Sequence, residues 1–403
     1  MTTTIRLRGP ADIITVLPYH LGYRPAESLV VVCLTRNRIG VVGRIDLPPP
    51  DVDPDLVAVE LLPVVRRERP DAVVLVGFES TRGQAEPASM AMRDAIESAG
   101  IRVVERLVVR GGRWWSLDCD RDCCPAEGEP VQTDDEVPAV SDYIVRGRRP
   151  AESRADLAAR LTHRPEPAQD RRCAAFVNDL ATARRSRSAL QRRRRRILQD
   201  WARILDLTPS GPDAVAAPPP RDDEAWAWAV VSLLDVAVRD LLIAWLCPGT
   251  LELDVFPASL RRLAESVLPS RPAGPARDTR TASVVEDGVD DTVDDRVDDR
   301  VEDGVEDGVE DGVDDTGEDR IEDGVEDTVG EALVDRLAMV CRAAPRELSP
   351  GPLTVLAHVV WWQGDGALAR TALDRALAVD PDYRLAALLE RMVDVAARPR
   401  ATA

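Results

Sequence analysis

Three cysteines lie close together in the segment WWSLDCDRDCCPAEG, with aspartates between them. Zinc prefers soft thiolate ligands, so Cys119, Cys123 and Cys124 are candidate metal ligands. A structural zinc site needs four ligands, usually from paired Cys arms, and the sequence shows no second arm. The acidic neighbours disfavour a thiolate, and no histidine is near in sequence. Buried structural thiols, a metal site and thiol chemistry all stay open. We expect no bound cofactor, with zinc as the one candidate.

A second charged feature is a run of arginines. Between Arg184 and Arg196, eight of 13 residues are arginine and none is acidic. Such a row can contact phosphates, but it contains no aromatic residues on which bases could stack. The sequence therefore predicts either a solvated helix face or weak, sequence-independent association with nucleic acid. The candidate polyanion-binding residues are Arg184, Arg185, Arg187, Arg192, Arg193, Arg194, Arg195 and Arg196.

The opposite charge is concentrated in residues 285–328, which form eleven tetrads such as VEDG, VDDT and VDDR. This segment holds 22 acidic residues and three arginines, and it accounts for the whole net charge of −19. A four-residue repeat drifts around a helix of 3.6 residues per turn, and acidic side chains at i and i+4 repel. We therefore predict a disordered spacer. The spacing of the acids does not match that of an EF-hand calcium loop.

Composition also bears on the compartment. All 52 basic residues are arginine, a bias typical of a GC-rich genome. The N-terminal sequence lacks the apolar stretch of a signal peptide, and seven cysteines in such a chain are typical of reduced thiols. The longest apolar stretch contains Asp235, Arg239 and Asp240, which favours a core helix over a membrane span. We expect a cytoplasmic protein without membrane association.

The elements that would position these residues follow from apolar patterns. Helices are expected at 10–21, 55–68 and 85–99, and apolar runs predict strands at 28–35, 39–47, 71–79, 102–110 and 113–117. Strands separated by short turns predict two antiparallel hairpins. The result is an α/β domain with a mixed sheet covered by helices.

The rest of the chain is predicted to be helical. Eight residues near the C-terminus match the spacing of one tetratricopeptide-like helical hairpin in an all-α C-terminal domain: Leu353, Leu356, Ala357, Val360, Ala369, Leu373, Ala376 and Pro381. An ordinary helical hairpin in a small bundle fits the same residues equally well. The expected organisation is an α/β domain at 1–165 with the Cys cluster at 119–124, a long Arg-rich helix at 166–207, a Pro-rich linker at 208–223, a helical domain at 224–283 and 329–398, and the disordered acidic insert at 284–328.

Six segments resemble one actinobacterial family, known as domain of unknown function 4192. They are LRGPADIITVLPYHLGYRPAESLVVVCL, GRIDLP, RWWSLDCDRDCCPAEGEPV, VRGRRPAESRADL, LLDVAVRDLLIAW and WWQGDGALARTALDRALAVDPDYRLAALL. The resemblance implies no activity. It implies recurring features that make Ser28, Arg44, Asp46, Arg239, Asp240 and Asp365 the candidate functional residues.

No P-loop, dinucleotide fingerprint or hydrolase motif is present in the sequence. The leading hypothesis is a binding or scaffolding module whose partner is a protein, with a second copy of this chain as one candidate. The first alternative is a metal- or thiol-dependent enzyme centred on Cys119, Cys123 and Cys124. The second alternative is weak, non-specific nucleic-acid association through the arginines of 184–196.

Overall fold

The structure is a computed structural model. It describes residues 9–35, 38–119, 125–145, 149–163, 166–206, 219–220, 222–271 and 317–394, with the backbone alone for 317–329. The Pro-rich linker, apart from its last residues, lies outside the described residues, as do Cys123, Cys124 and residues 284–316 of the acidic insert.

The first part of the chain forms one mixed six-stranded sheet with the order β2-β1-β3-β4-β5-β6. Strands β3 and β4 pair in parallel, and every other neighbouring pair is antiparallel. Both predicted hairpins, β1–β2 and β4–β5, are confirmed. The elements are α1 (Pro10–Leu21), β1 (Ser28–Thr35), β2 (Arg38–Asp46), α2 (Asp55–Glu68), β3 (Ala72–Phe78), α3 (Glu86–Ser98), β4 (Arg102–Arg110), β5 (Arg113–Ser116) and β6 (Glu129–Pro130).

Helices cover both faces of the sheet. Leu29, Val31 and Cys33 of β1 pack with the helices α2 and α3 on one face. The alternate residues Val30 and Val32 pack with α1 on the other face. Strands β1 and β3 are buried on both faces, which explains their continuous apolar sequences. Two short helices follow the sheet: α4 (Pro138–Val145) and α5 (Arg154–Ala159).

The second part of the chain is helical. It comprises α6 (Pro167–Ala183), α7 (Arg187–Ile204), α8 (Asp223–Ser232), α9 (Val236–Leu246), α10 (Ala258–Val267), α11 (Gly317–Ala343), α12 (Pro350–Trp362), α13 (Gly366–Val379) and α14 (Arg384–Asp394). One large core unites these helices and draws on both sides of the acidic insert. None of the helices in the described part of the chain has the length and apolar character of a membrane span.

Two predicted boundaries differ from the structure. The long helix expected at 166–207 is two helices, because Ser186 interrupts it and its hydroxyl caps α7 by accepting a hydrogen bond from the Ala189 N–H at 3.5 Å. Both helices belong to the helical core instead of forming a separate connecting element. Helix α11 begins at Gly317, whereas the sequence analysis expected an unstructured segment up to residue 328.

Helices α12 and α13 form a hairpin joined through Gly364, whose φ of 89° favours glycine. Helix α13 also contacts the sheet part of the molecule. Leu368 packs against the sheet core on the α1 side, and Asp374 pairs with Arg154 of α5 at 2.6 Å. The two parts of the molecule therefore meet along α5 and α13.

Candidate functional site

Three of the candidate residues lie together at one edge of the sheet. Ser28, the first residue of β1, is directly opposite Asp46 of β2, and Arg44 lies two pairs further along, opposite Val30. Residues directly opposite in an antiparallel pair share a face, so the three side chains lie on the α1 side of the sheet. Glu27, immediately before Ser28, has a φ of 42°, which is uncommon for a residue other than glycine.

The polar contacts at this edge are mostly internal. A terminal guanidinium nitrogen of Arg44 lies 2.5 Å from the Asp46 carboxylate and 3.3 Å from the carbonyl oxygen of Ala26. Among the described residues, the Ser28 hydroxyl and Arg44 Nε are buried without a hydrogen-bond partner. The Arg44 charge is thus compensated within the protein. We infer that the contacts of Arg44 with Asp46 and with the Ala26 carbonyl stabilise the turn between α1 and β1.

Sequence reasoning missed Tyr23, which belongs to this sheet-edge group. Burial raises the pKa of the Tyr23 phenol, while the guanidinium groups of Arg44 and Arg154 act in the opposite direction. The phenol is therefore protonated at neutral pH. The backbone of Tyr23 pairs with that of Ala151 in an isolated parallel bridge. In the sequence, Tyr23 is distinguished only as an aromatic residue between Gly22 and the dipeptide Arg24-Pro25.

Glu79 is a second buried polar residue whose contacts the sequence did not reveal. It follows β3 and accepts hydrogen bonds from the backbone N–H groups of Gly83 at 3.2 Å and Ala85 at 3.0 Å. Arg110 at the end of β4 lies 2.5 Å from the same carboxylate and 4.5 Å from the centre of the Trp115 ring. These contacts fix the loop before α3 and give Glu79 a structural role.

The other candidate residues serve the helical core. Arg239 donates to Asp240 at 2.8 Å and to the Tyr383 hydroxyl at 3.0 Å, which ties α9 to the segment before α14. Asp365 is the N-cap of α13 and accepts a hydrogen bond from the Leu368 N–H at 2.8 Å. The structure therefore divides the six candidates between the sheet edge and the helical core.

The cysteine cluster can be described only at its first member. Cys119 is partly exposed and is not in a disulfide. The carboxylate of the preceding Asp118 pairs with Arg106 at 2.5 Å, and the hydrogen bond from Arg106 holds the pKa of Asp118 below its usual range. Within the described residues, no three His, Cys, Asp or Glu side chains are grouped as metal ligands. Cys123 and Cys124 lie outside the described residues, so the zinc hypothesis stays a prediction.

The arginine run is divided between internal and external contacts. Arg194 makes two hydrogen bonds to Asp235, at 2.8 and 2.9 Å. Arg193 pairs with Asp179 at 2.8 Å and lies 4.1 Å from the centre of the Trp228 ring. Arg184 donates to the carbonyl of Leu234 at 2.7 Å, and Arg196 is 3.9 Å from Asp200. Within the described part of the chain, ion pairs are lacking for four exposed arginines: Arg185, Arg187, Arg192 and Arg195.

The outer face of α2 carries an apolar surface that we had not predicted. Leu56 and Val59 are 51% and 68% exposed, and with Pro63 they follow the i, i+3, i+7 spacing of one helix face. A shallow groove of about 520 Å³ runs beside them, between Ala58 and Arg67. Pro63 has no N–H, so the Val59 carbonyl lacks its usual partner in the helix. We call this surface the α2 groove.

Comparison with known proteins gives a family and no activity. No curated protein and no solved structure matches the chain. The model of one family matches residues 10–273 and 314–400, which include the arginine run and leave out most of the acidic tetrads. The chain therefore belongs to the family described as a domain of unknown function (DUF4192).

Proposed function

We propose that the protein is a binding or scaffolding module that docks a partner protein in the α2 groove. The observation that carries this proposal is the exposure of Leu56 and Val59 on a helix whose opposite face is already buried in the sheet core. Exposed apolar surface that is contiguous and bordered by charge is typical of protein contact sites. Arg239 and Asp365 are engaged in contacts within the helical core, which is consistent with this emphasis on binding.

The groove also indicates the chemistry of the partner. Its floor is formed by apolar side chains, and Arg66 and Arg67 lie at one end. A segment that presents apolar side chains next to acidic ones matches both features, because charge complementarity favours the correct partner and orientation. We therefore propose an apolar, acidic segment of a partner protein as the occupant.

A charge placed in the groove tests the proposal. Val59→Asp introduces a carboxylate at a 68% exposed position, and Val255→Asp does the same at a 69% exposed position outside the groove. We expect a protein captured from the native cell to be retained by the Val255 variant and lost at least about tenfold with the Val59 variant. Equal capture by both variants would contradict docking at α2. Sedimentation of the purified chain shows whether a second copy is the partner.

The cellular setting and the C-terminal hairpin complete the proposal. We propose that α12 and α13 form a tetratricopeptide-like unit that stacks on neighbouring helices. We also propose that the protein works in the cytoplasm of an actinobacterium. Stacking is supported by the burial of every residue of α12. A reducing compartment is supported by Cys173, Cys247 and Cys341, which are buried thiols outside any disulfide.

Polyanion binding is the second candidate function. It is favoured by Arg185, Arg187, Arg192 and Arg195, which face solvent on and beside α7. Four exposed arginines suit a loose contact with phosphates and provide no base readout.

A further inference from the structure

A cleft of about 290 Å³ lies where the sheet part and the helical part of the molecule meet. One wall comes from α5 and the residues that follow it, and the other from α11 and the first turn of α13. Leu157, Ala338 and Leu368 form apolar parts of the lining. The cleft is close to the lower end of the size range of small-molecule sites, which often lie between domains.

The polar lining of the cleft has an excess of positive charge. Arg160 and Arg342 contribute two guanidinium groups, and Asp335 contributes one carboxylate. Arg342 donates to the backbone carbonyl of Arg160 at 2.9 Å, so its guanidinium is held at the C-terminal end of α5. A guanidinium has five N–H donors, and this bond uses one of those on Arg342.

The Arg342 backbone is fixed from the other side. The Nδ1 atom of His163 is 3.0 Å from the carbonyl oxygen of Arg342, and its Nε2 atom is 3.4 Å from Asp170 at the start of α6. Arg342 is therefore held in place before any ligand arrives, which lowers the entropy lost on binding.

We propose that this cleft binds a small molecule with one anionic head group and a compact apolar body. Arg160 and Arg342 would contact the head group from the two parts of the molecule, and the apolar body would lie against Ala338 and Leu368. The charge balance of two cations and one anion favours a monoanion. Such a ligand would join the sheet part to the helical part, a role independent of docking at α2.

Hexanoate is the probe for the test, because it combines a carboxylate with a short apolar chain. Acetate supplies the head group alone, and hexan-1-ol supplies the chain without the charge. We expect ligand-observed NMR to detect hexanoate binding to the full chain with a Kd at least about tenfold lower than that of either control. Binding of hexanoate no tighter than both controls would overturn the proposal.

Variants connect the binding to the cleft. Ala338→Leu fills the apolar part and should abolish binding, while Arg160→Gln removes an exposed guanidinium and should weaken binding about tenfold. Arg171→Gln, at an exposed position on α6, is the matched control and should bind as the parent does. Circular dichroism verifies that each variant folds, and the Arg160 variant does not depend on repacking. Unchanged hexanoate binding by the Arg160 variant would overturn the assignment.

Discussion

At the scale of single residues, arginines that look alike in the sequence have different roles. Arg194 is mostly buried and makes two hydrogen bonds to Asp235, which also caps α9 through the Ala237 N–H at 3.2 Å. Arg192, two residues earlier, is exposed. The position of an arginine in the run therefore does not indicate whether its side chain is available to a ligand.

This difference predicts unequal effects on stability. Arg194→Gln leaves the Asp235 carboxylate partly buried without its cation, so we expect the free energy of unfolding to fall by about 2–3 kcal/mol. Arg192→Gln is the matched control and should change it by less than about 0.5 kcal/mol. Urea denaturation measures both values. A small loss for Arg194→Gln would show that the pair is dispensable.

His358 is a polar residue buried in the apolar core of the helical part. It is 8% exposed in α12, and neither ring nitrogen has a hydrogen-bond partner among the described residues. Burial lowers the pKa of His358 to about 4. The ring is therefore neutral at physiological pH and packs edge-on against Trp361.

The buried imidazole predicts how stability depends on pH. In the unfolded chain His358 titrates near its usual pKa of 6.5, so between pH 6.5 and pH 4 the unfolded state binds more protons. Stability should decline by about 3 kcal/mol as the pH falls through this window. His358→Leu should remove that part of the slope while other groups keep theirs. Urea denaturation at several pH values, compared between parent and variant, measures the difference, and identical slopes would contradict the prediction.

At the scale of helices and strands, Asp365 contributes to stability by capping the N-terminus of α13. Its carboxylate caps α13, and the first turn of α13 contacts the sheet core through Leu368. Asp365→Ala should therefore lower the free energy of unfolding by about 1 kcal/mol, and Asp365→Ser should retain most of it, because serine also caps helices. Thermal unfolding of both variants makes the comparison. Equal losses would indicate a role other than capping.

Much of the secondary structure could be predicted because its signals are local. Apolar runs predicted β1 and β3, and both strands are present. The interruption at Ser186 was hidden, since the apolar stripe of α6 continues in register into α7 and both helices bury it. A periodic pattern does not show where a chain turns back on itself.

The candidate site was less predictable because it depends on long-range contacts. The register of β1 and β2 brings Ser28 close to Asp46, a relation that a short hairpin suggests from sequence. Arg154 and Asp374 form a contact although they are 220 positions apart in the sequence. A local sequence pattern cannot predict such a contact. The α2 groove was missed because a pattern of helical spacing identifies one buried face and says little about the other.

At the scale of the whole molecule, the acidic tetrads carry the net charge, and the core of the described helices is formed by residues outside them. We predict that deleting residues 285–316, eight of the eleven tetrads, changes the melting temperature by no more than about 4 °C. A Gly-Ser segment of equal length is the control for chain connectivity. A larger loss that the Gly-Ser segment does not restore would reveal packing by the tetrads.

The same deletion tests the polyanion proposal. The tetrads should compete with phosphates for the exposed arginines beside α7, so their removal should strengthen binding to DNA of any sequence. The binding constant, measured across salt concentrations for parent and deletion, should differ most at low salt. Tight binding of the parent to one particular sequence at physiological salt would contradict this view.

The helical core joins residues up to Leu268 with residues from Leu333 onwards, so the tetrads lie within a connection between two parts of one core. For a disordered connection, as the sequence predicts for the tetrads, the entropic cost of closure depends only logarithmically on length, and each doubling adds about 0.6 kcal/mol. The number of tetrads is therefore almost neutral for folding, provided that whole units are gained or lost. Replication slippage in a repetitive gene could lengthen or shorten this connection between generations without exposing the fold to selection.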